Sequence, residues 1–224
     1  MKTYLILSVF TLLFAATSCR KATVDPTKGL SAKIQSIVPQ ATLDDLKAKG
    51  MTINEGSQPP NIDGIYQANP YQLLAPYSSE DGWAKGKIIT DYRFRFSGQS
   101  GDDVKVEEKQ VGTSNAGTGV ASFLAGSGGK FTLFGEVAGT QSGISYKQLT
   151  VISGEVTATG IKDFQYAFVF TSKNGDAGNT TLIPINKARI WIDGNALAEK
   201  VATYRRASTE EPETVTQGTP GSTR

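Results

Sequence analysis

Acid–base catalysis needs two carboxylates held at a fixed separation. Beyond residue 30 the sequence offers Asp63, Asp91, Glu107, Glu136 and Asp163 as candidates. Nothing in their spacing selects a pair, because each falls on the polar phase of an alternating run or in a turn, where solvated carboxylates belong. Glu107-Glu108 and Asp102-Asp103 read the same way, as solvated edges. The turn Asn174-Gly175-Asp176-Ala177-Gly178-Asn179 gathers oxygen ligands, but it lacks the length and closing glutamate of a calcium loop, and turn chemistry accounts for it. Gly126-Ser127-Gly128-Gly129-Lys130 has the glycines and lysine of a phosphate cradle without a helix behind it, so it reads as a hairpin. The chain has no histidine and one cysteine. That removes Ser-His-Asp and Cys-His catalysis, histidine-ligated zinc and structural disulfides. No dinucleotide fingerprint or metalloprotease helix motif is present, so the sequence calls for no metal and no cofactor. A formal net charge of +2 is too balanced for a nucleic-acid footprint.

Aromatic side chains are the stronger chemical signal. In the run 88–96, Ile88, Tyr92, Phe94 and Phe96 share one face with Thr90, opposite Asp91, Arg93 and Arg95. In the run 161–171, Phe164, Tyr166, Phe168 and Phe170 share a face with Lys162, opposite Asp163, Gln165 and Thr171. Together with Tyr66 these eight aromatics, Tyr66, Tyr92, Phe94, Phe96, Phe164, Tyr166, Phe168 and Phe170, either fill a core or line a cavity for a small apolar ligand. Filling the core is what a small β-structure requires in any case.

The elements that must position them have period two. From Ile62 to Asp193 the runs 62–68, 86–97, 102–111, 118–126, 129–138, 143–152, 154–171 and 180–193 read as strands. They are punctuated by 97–102, 126–129, 138–139 and 174–176, all rich in Gly, Ser, Asn or Asp. About eight strands in succession with short turns predict an antiparallel up-and-down β-barrel, with a β-sandwich as the alternative. Ahead of them, Ser31 caps a short helix with Ile34, Ile37 and Val38 on one face, ended by Pro39. Thr42-Leu43-Asp44-Asp45 opens a second as a capping box, with Gly50 as its stop. Both are too short to stand alone and are expected across the mouth or side of the β-domain. Asp193 to Tyr204 (DGNALAEKVATY) reads as a terminal helix with Leu197 and Val201 inward.

The N-terminus carries the single cysteine. Lys2 precedes an apolar run, Tyr4 to Ala16, which ends in Thr17-Ser18-Cys19. A charged start, a short apolar stretch and small residues before a cut describe a secretory signal peptide, and the run is too short for a spanning helix. Ala16-Thr17-Ser18-Cys19 resembles a bacterial lipobox, with Ala16 where the usual pattern has leucine. The resemblance implies a diacylglycerol on the Cys19 thiol, cleavage before Cys19 and acylation of the new amino group. Several acyl chains hold a soluble domain stably at a membrane, whereas one is marginal. With the upstream residues from Ile34, Pro59-Pro60-Asn61-Ile62-Asp63-Gly64-Ile65-Tyr66 is similar to the opening of a recurrent group of Bacteroidota lipoproteins that bring no assigned activity. Gly64-Ile65-Tyr66 before an eight-strand barrel also resembles the lipocalin opening Gly-x-Trp, with Tyr66 in place of the tryptophan.

The expected organisation is a signal peptide at 1–18, a lipidated tether at 19–30, one β-rich domain at 31–204 and a disordered tail at 205–224. The expected function is a non-enzymatic binding or accessory module of the cell envelope, anchored by Cys19, with a small apolar ligand or a glycan as partner and no nucleic acid, given its location and charge. The alternatives are a carboxylate-dependent hydrolase and an interaction partner of an outer-membrane complex. Outer-membrane residence is the localisation this reading favours.

Overall fold

A computed structural model describes residues 29–204. The apolar run, Cys19, most of the tether and the stretch after Tyr204 lie outside the described residues, and the signal, anchor and tail expectations lie there with them.

Two short helices precede the strands. In α1 (Ala32–Ile37) the Ser31 hydroxyl accepts from the Ile34 amide at 3.4 Å, capping the helix as its position predicts. In α2 (Gln40–Ala48) the N-cap is Pro39, not Thr42, which sits inside the first turn. Proline is already suited to the start of a helix, so the helix begins two residues before the expected capping box. Gly50 ends the segment at φ +93°, a conformation open to glycine at little cost.

The strands are β1 (Gly64–Ala68), β2 (Tyr71–Ala75), β3 (Ile88–Ile89), β4 (Tyr92–Ser100), β5 (Asp103–Gln110), β6 (Ala116–Ser127), β7 (Lys130–Gln141), β8 (Ile144–Val156), β9 (Gly160–Asn174), β10 (Ala188–Asp193) and β11 (Leu197–Lys200). All pairings are antiparallel. The order β11-β1-β4-β5-β6-β7-β8-β9 closes through a β11–β9 pairing into a ring of eight strands. The remaining three strands extend the wall at one end. A cis Asn69–Pro70 peptide separates β1 from β2. Tyr71 opposite Ile89 nevertheless keeps the register that sets Ala68 opposite Tyr92. Likewise β10 pairs with β2, and β11 with β1.

Closure leaves two places for apolar residues. Inside the ring, Tyr66, Phe94, Phe96, Phe131, Ile152, Phe164 and Tyr166 belong to one buried cluster. Outside it, Ile34, Val38, Leu43 and Leu46 from the helices pack on Phe134, Leu149, Val151, Ala167, Val169 and Ile190. The helices therefore cover a side of the ring rather than its mouth. This is why the middle of β8, from Gln148 to Gly154, is buried without alternation: one face meets the lumen and the other meets helix. Polar clamps fix the connection after α2. Gln165 accepts from the Thr52 amide at 2.6 Å and donates to the Gly50 carbonyl at 3.1 Å.

Three expectations need correction. The terminal helix is absent, and Leu197–Lys200 is strand β11. Asp193 Oδ1 accepts from the Asn195 and Leu197 amides, and Ala196 takes φ +67°, so the chain turns where a helix would start. The strand then closes the gap between β1 and β9. Tertiary pairing here overrides the helical propensity of Leu, Ala, Glu and Lys. Lys162 does not share the inner face with Phe164. Asp163 adopts φ +53° opposite a register shift in β8, so Ile161 turns inward and Lys162 is exposed. Ala138-Gly139 is not a turn; β7 runs on to Gln141, and the hairpin falls at Ser142-Gly143.

Candidate functional site

The ring is plugged at one end. Asn61 accepts from the Asp63 amide at 2.8 Å in the Asx turn that its position predicts, and the fully buried Ile62 donates to Gln99 at 2.8 Å. Gly64 lets the strand start against Tyr66, since a β-carbon there would lie 3.0 Å from the Tyr66 hydroxyl. The distinctive Pro59–Tyr66 segment is thus the floor of the ring.

The other end holds a cavity of about 110 Å³. Its wall is aromatic: Tyr71 stacks on Trp191 with centroids 4.9 Å apart and rings 9° from parallel, and Trp83 meets Trp191 edge-on at 5.8 Å. Tyr92, Tyr146, Tyr166, Phe168 and Phe170 complete it. Of the eight aromatics singled out from sequence, four (Tyr92, Tyr166, Phe168 and Phe170) line this cavity. Tyr66, Phe94, Phe96 and Phe164 instead fill the lumen between cavity and floor. Four of the eight therefore border the cavity and four belong to the packed lumen.

The polar centre is Glu108, on β5. Its side chain points into the ring and the residue is 3% exposed. Gln148 Nε2 donates to Oε1 at 2.8 Å, Tyr166 Oη donates to Oε2 at 2.9 Å, and Tyr146 Oη donates to Oε1 at 3.4 Å. Burial pushes its carboxyl up to about 7, against the opposing pull of these three donors. None of the donors carries a charge. Burial likewise raises the Tyr71, Tyr92, Tyr146 and Tyr166 hydroxyls well above the usual phenol range, with Glu108 adding to each. Tyr71 is 1% exposed, and its hydroxyl finds no hydrogen-bond partner among the described residues.

Glu108 is the residue that sequence reasoning misplaced. It was expected as a solvated edge beside Glu107, and Glu107 does pair with Arg95 on the outer wall. The missed signal is the phase: Val104, Val106, Glu108 and Gln110 alternate with Lys105, Glu107 and Lys109. Val104 and Val106 are core residues, so Glu108 continues the inward set. The acid–base candidates do not converge. Asp63 accepts from the Gln99 amide near the floor, Asp91 accepts from Gln67, and Glu136 and Asp163 are exposed. Among the described residues Glu108 is the single carboxylate lining the cavity.

Two built-in ion pairs hold the rim. Arg189 forks onto Asp81, Nε to Oδ2 at 2.8 Å and Nη2 to Oδ1 at 2.5 Å, with its guanidinium 4.3 Å from the Trp83 ring centroid. Burial opposes the Asp81 charge, but Arg189 and the Tyr77 and Trp83 amides together hold the carboxyl below the usual range. The second pair lies in the turn after β9. Asp176 accepts from the Leu182, Thr181 and Thr180 amides, and Lys173 Nζ reaches Asp176 at 3.1 Å, Asn179 at 2.7 Å and the Ile183 carbonyl at 3.2 Å. The backbone bond from Leu182 is the main reason its carboxyl is pulled far below the usual range. The oxygens that suggested a calcium turn are organised around the lysine ammonium. This cage sets Thr181, Leu182 and Ile183 over the cavity. Among the described residues no group of three or more acidic or cysteine side chains is placed to hold a metal.

The fold and this site define a class: a closed antiparallel ring, floored at one end, with an aromatic cavity and one buried carboxyl at the other. The chain matches no protein-family model, no curated protein and no solved structure.

Proposed function

We propose that this protein is a lipid-anchored cell-envelope binding module whose ring-end cavity takes a small, largely apolar molecule bearing one polar group. The observation that carries the reading is the Tyr71 hydroxyl. It is buried against the cavity with no partner among the described residues, a cost of about 1–3 kcal/mol that a ligand's polar group would offset. Aromatic walls with a few convergent polar groups are what small-molecule sites share. At about 110 Å³ and open to solvent on one side, the cavity suits a short chain or a single ring that projects partly from it, rather than a long acyl chain; an engineered apolar cavity of about 150 Å³ encloses a whole benzene.

The anchor rests on the Ala16–Cys19 pattern. Gly29 lies beside the floor of the ring: its carbonyl accepts from the Gly56 amide at 2.9 Å, and the Gly56 carbonyl accepts from the Gly126 amide at 3.0 Å.

Both tryptophans of the chain, Trp83 and Trp191, line the cavity, so their emission reports on it directly. Titration of the full chain with benzyl alcohol is expected to change that emission saturably. A response no different from that of free N-acetyltryptophanamide would overturn the binding reading.

A further inference from the structure

We propose that the ligand is a small organic monocation, its ammonium group held by the Glu108 carboxylate and by the faces of the surrounding aromatic rings. The inference rests on the cavity being a binding site, as proposed above, and adds the chemical class of what binds.

Three features of the wall carry it. Glu108 receives three hydrogen bonds, all from the neutral groups Tyr146, Gln148 and Tyr166. No cationic side chain among the described residues pairs with it, and a buried carboxylate is costly to leave that way. Among the described residues the one cation on the wall is Arg189, already neutralised by its two-pronged contact with Asp81. Aromatic faces are the negative poles of their ring quadrupoles, and they attract cations more strongly when water is excluded. Tyr71 then has a role: its unpartnered hydroxyl offers an acceptor to an ammonium N–H. A carboxylate ligand such as a fatty acid would bring a second negative charge to the same place.

Binding should depend on pH through Glu108 alone. The titratable groups facing it are Tyr71 from β2, Tyr92 from β4, Tyr146 from β8 and Tyr166 from β9, all of which burial keeps neutral. From β10 comes Arg189, paired with an Asp81 that stays ionised. The Glu108 carboxyl, at about 7, is the cavity group whose charge changes between pH 5.5 and 8.

The test uses the full chain, tryptophan emission and three one-ring probes: benzylammonium, benzyl alcohol and benzoate. At pH 8 benzylammonium is expected to bind about tenfold or more tighter than benzyl alcohol, with benzoate weakest. Lowering the pH to 5.5 is expected to weaken benzylammonium about tenfold or more and to leave benzyl alcohol unchanged. Glu108→Gln should erase both the preference for the cation and its pH dependence. Benzyl alcohol binding as tightly as benzylammonium at pH 8 would overturn the cation inference while sparing the cavity reading. If neither probe binds, both fail. Should Glu108→Gln not fold, the pH profile of the unsubstituted chain decides the question.

Discussion

The Tyr166 hydroxyl donates to the Glu108 carboxylate at 2.9 Å across the lumen of the ring. Glu108 stands on β5 and Tyr166 on β9, four places apart in a circuit of eight strands. The bond therefore spans opposite walls, and Gln148 on β8 donates to both partners, at 2.8 Å to Glu108 and 2.9 Å to Tyr166. A polar network fixes the depth at which the packed lumen stops and the cavity begins.

The network makes stability depend on pH in a definite direction. The Glu108 carboxyl sits at about 7 in the folded chain against an ordinary 4.5. A raised carboxyl means the folded state keeps a proton that the unfolded chain gives up. Stability is then highest below the ordinary value, falls as pH rises toward 7, and levels off above it. The fall attributable to Glu108 is about 3 kcal/mol. Urea denaturation at pH 5 and pH 8.5 should show it, and Glu108→Gln should reduce the difference by that amount. An equal pH dependence in both chains would contradict the assignment.

Tyr71→Phe removes a buried hydroxyl that bonds to no protein group. Thermal melting is expected to show a chain at least as stable as the original, and up to about 3 kcal/mol more so. The same substitution is expected to weaken benzylammonium several-fold. A variant both less stable and equally able to bind would mean that the hydroxyl serves the fold.

The Lys173–Asp176 cage is predicted to hold the strip that covers the cavity. Asp176→Ala removes the acceptor of the Thr180, Thr181 and Leu182 amides and the partner of Lys173. Hydrogen exchange should speed up in residues 175–187, with the strands unchanged, and benzyl alcohol binding should weaken. Unaltered exchange in that segment would show that other contacts hold it.

The helical layer is predicted to be a structural requirement. Leu46 is fully buried between α2 and the outer face of the ring. Leu46→Ala should cost about 2–5 kcal/mol in denaturant unfolding, as large-to-small changes in a core do. A loss below about 1 kcal/mol would mean that α2 is only loosely attached.

Most of the ring was legible from alternation, because a strand with one face in the lumen must repeat every two residues. Phe94 and Phe96 against Arg93 and Arg95 show it plainly. Two strands escaped that signal. Tyr71–Ala75 is short and follows the cis Asn69–Pro70 bond, and Leu197–Lys200 is helical in composition but takes the place left open between β1 and β9. The cavity was half legible. Tyr92, Tyr166, Phe168 and Phe170 declared an inward aromatic face, but nothing local tells which inward residues lie near the end of a ring. That depends on register, and register comes from pairing. Tyr71, Trp83 and Trp191 belong to the extended wall that the missed β2 completes, so the stacked pair at the centre of the site was out of reach. Glu108 was within reach, since its phase with Val104 and Val106 is a property of the sequence alone.

Whether Glu108 meets a cation in this cavity is read from calorimetry of benzylammonium binding at pH 6.5 in two buffers of different ionisation enthalpy. Near its midpoint at about 7, Glu108 is partly protonated in the free chain and must ionise to pair with the ammonium. Release of about half a proton or more per benzylammonium bound is expected, with none released by Glu108→Gln. Heat that is the same in both buffers, or proton release that survives Glu108→Gln, would contradict it.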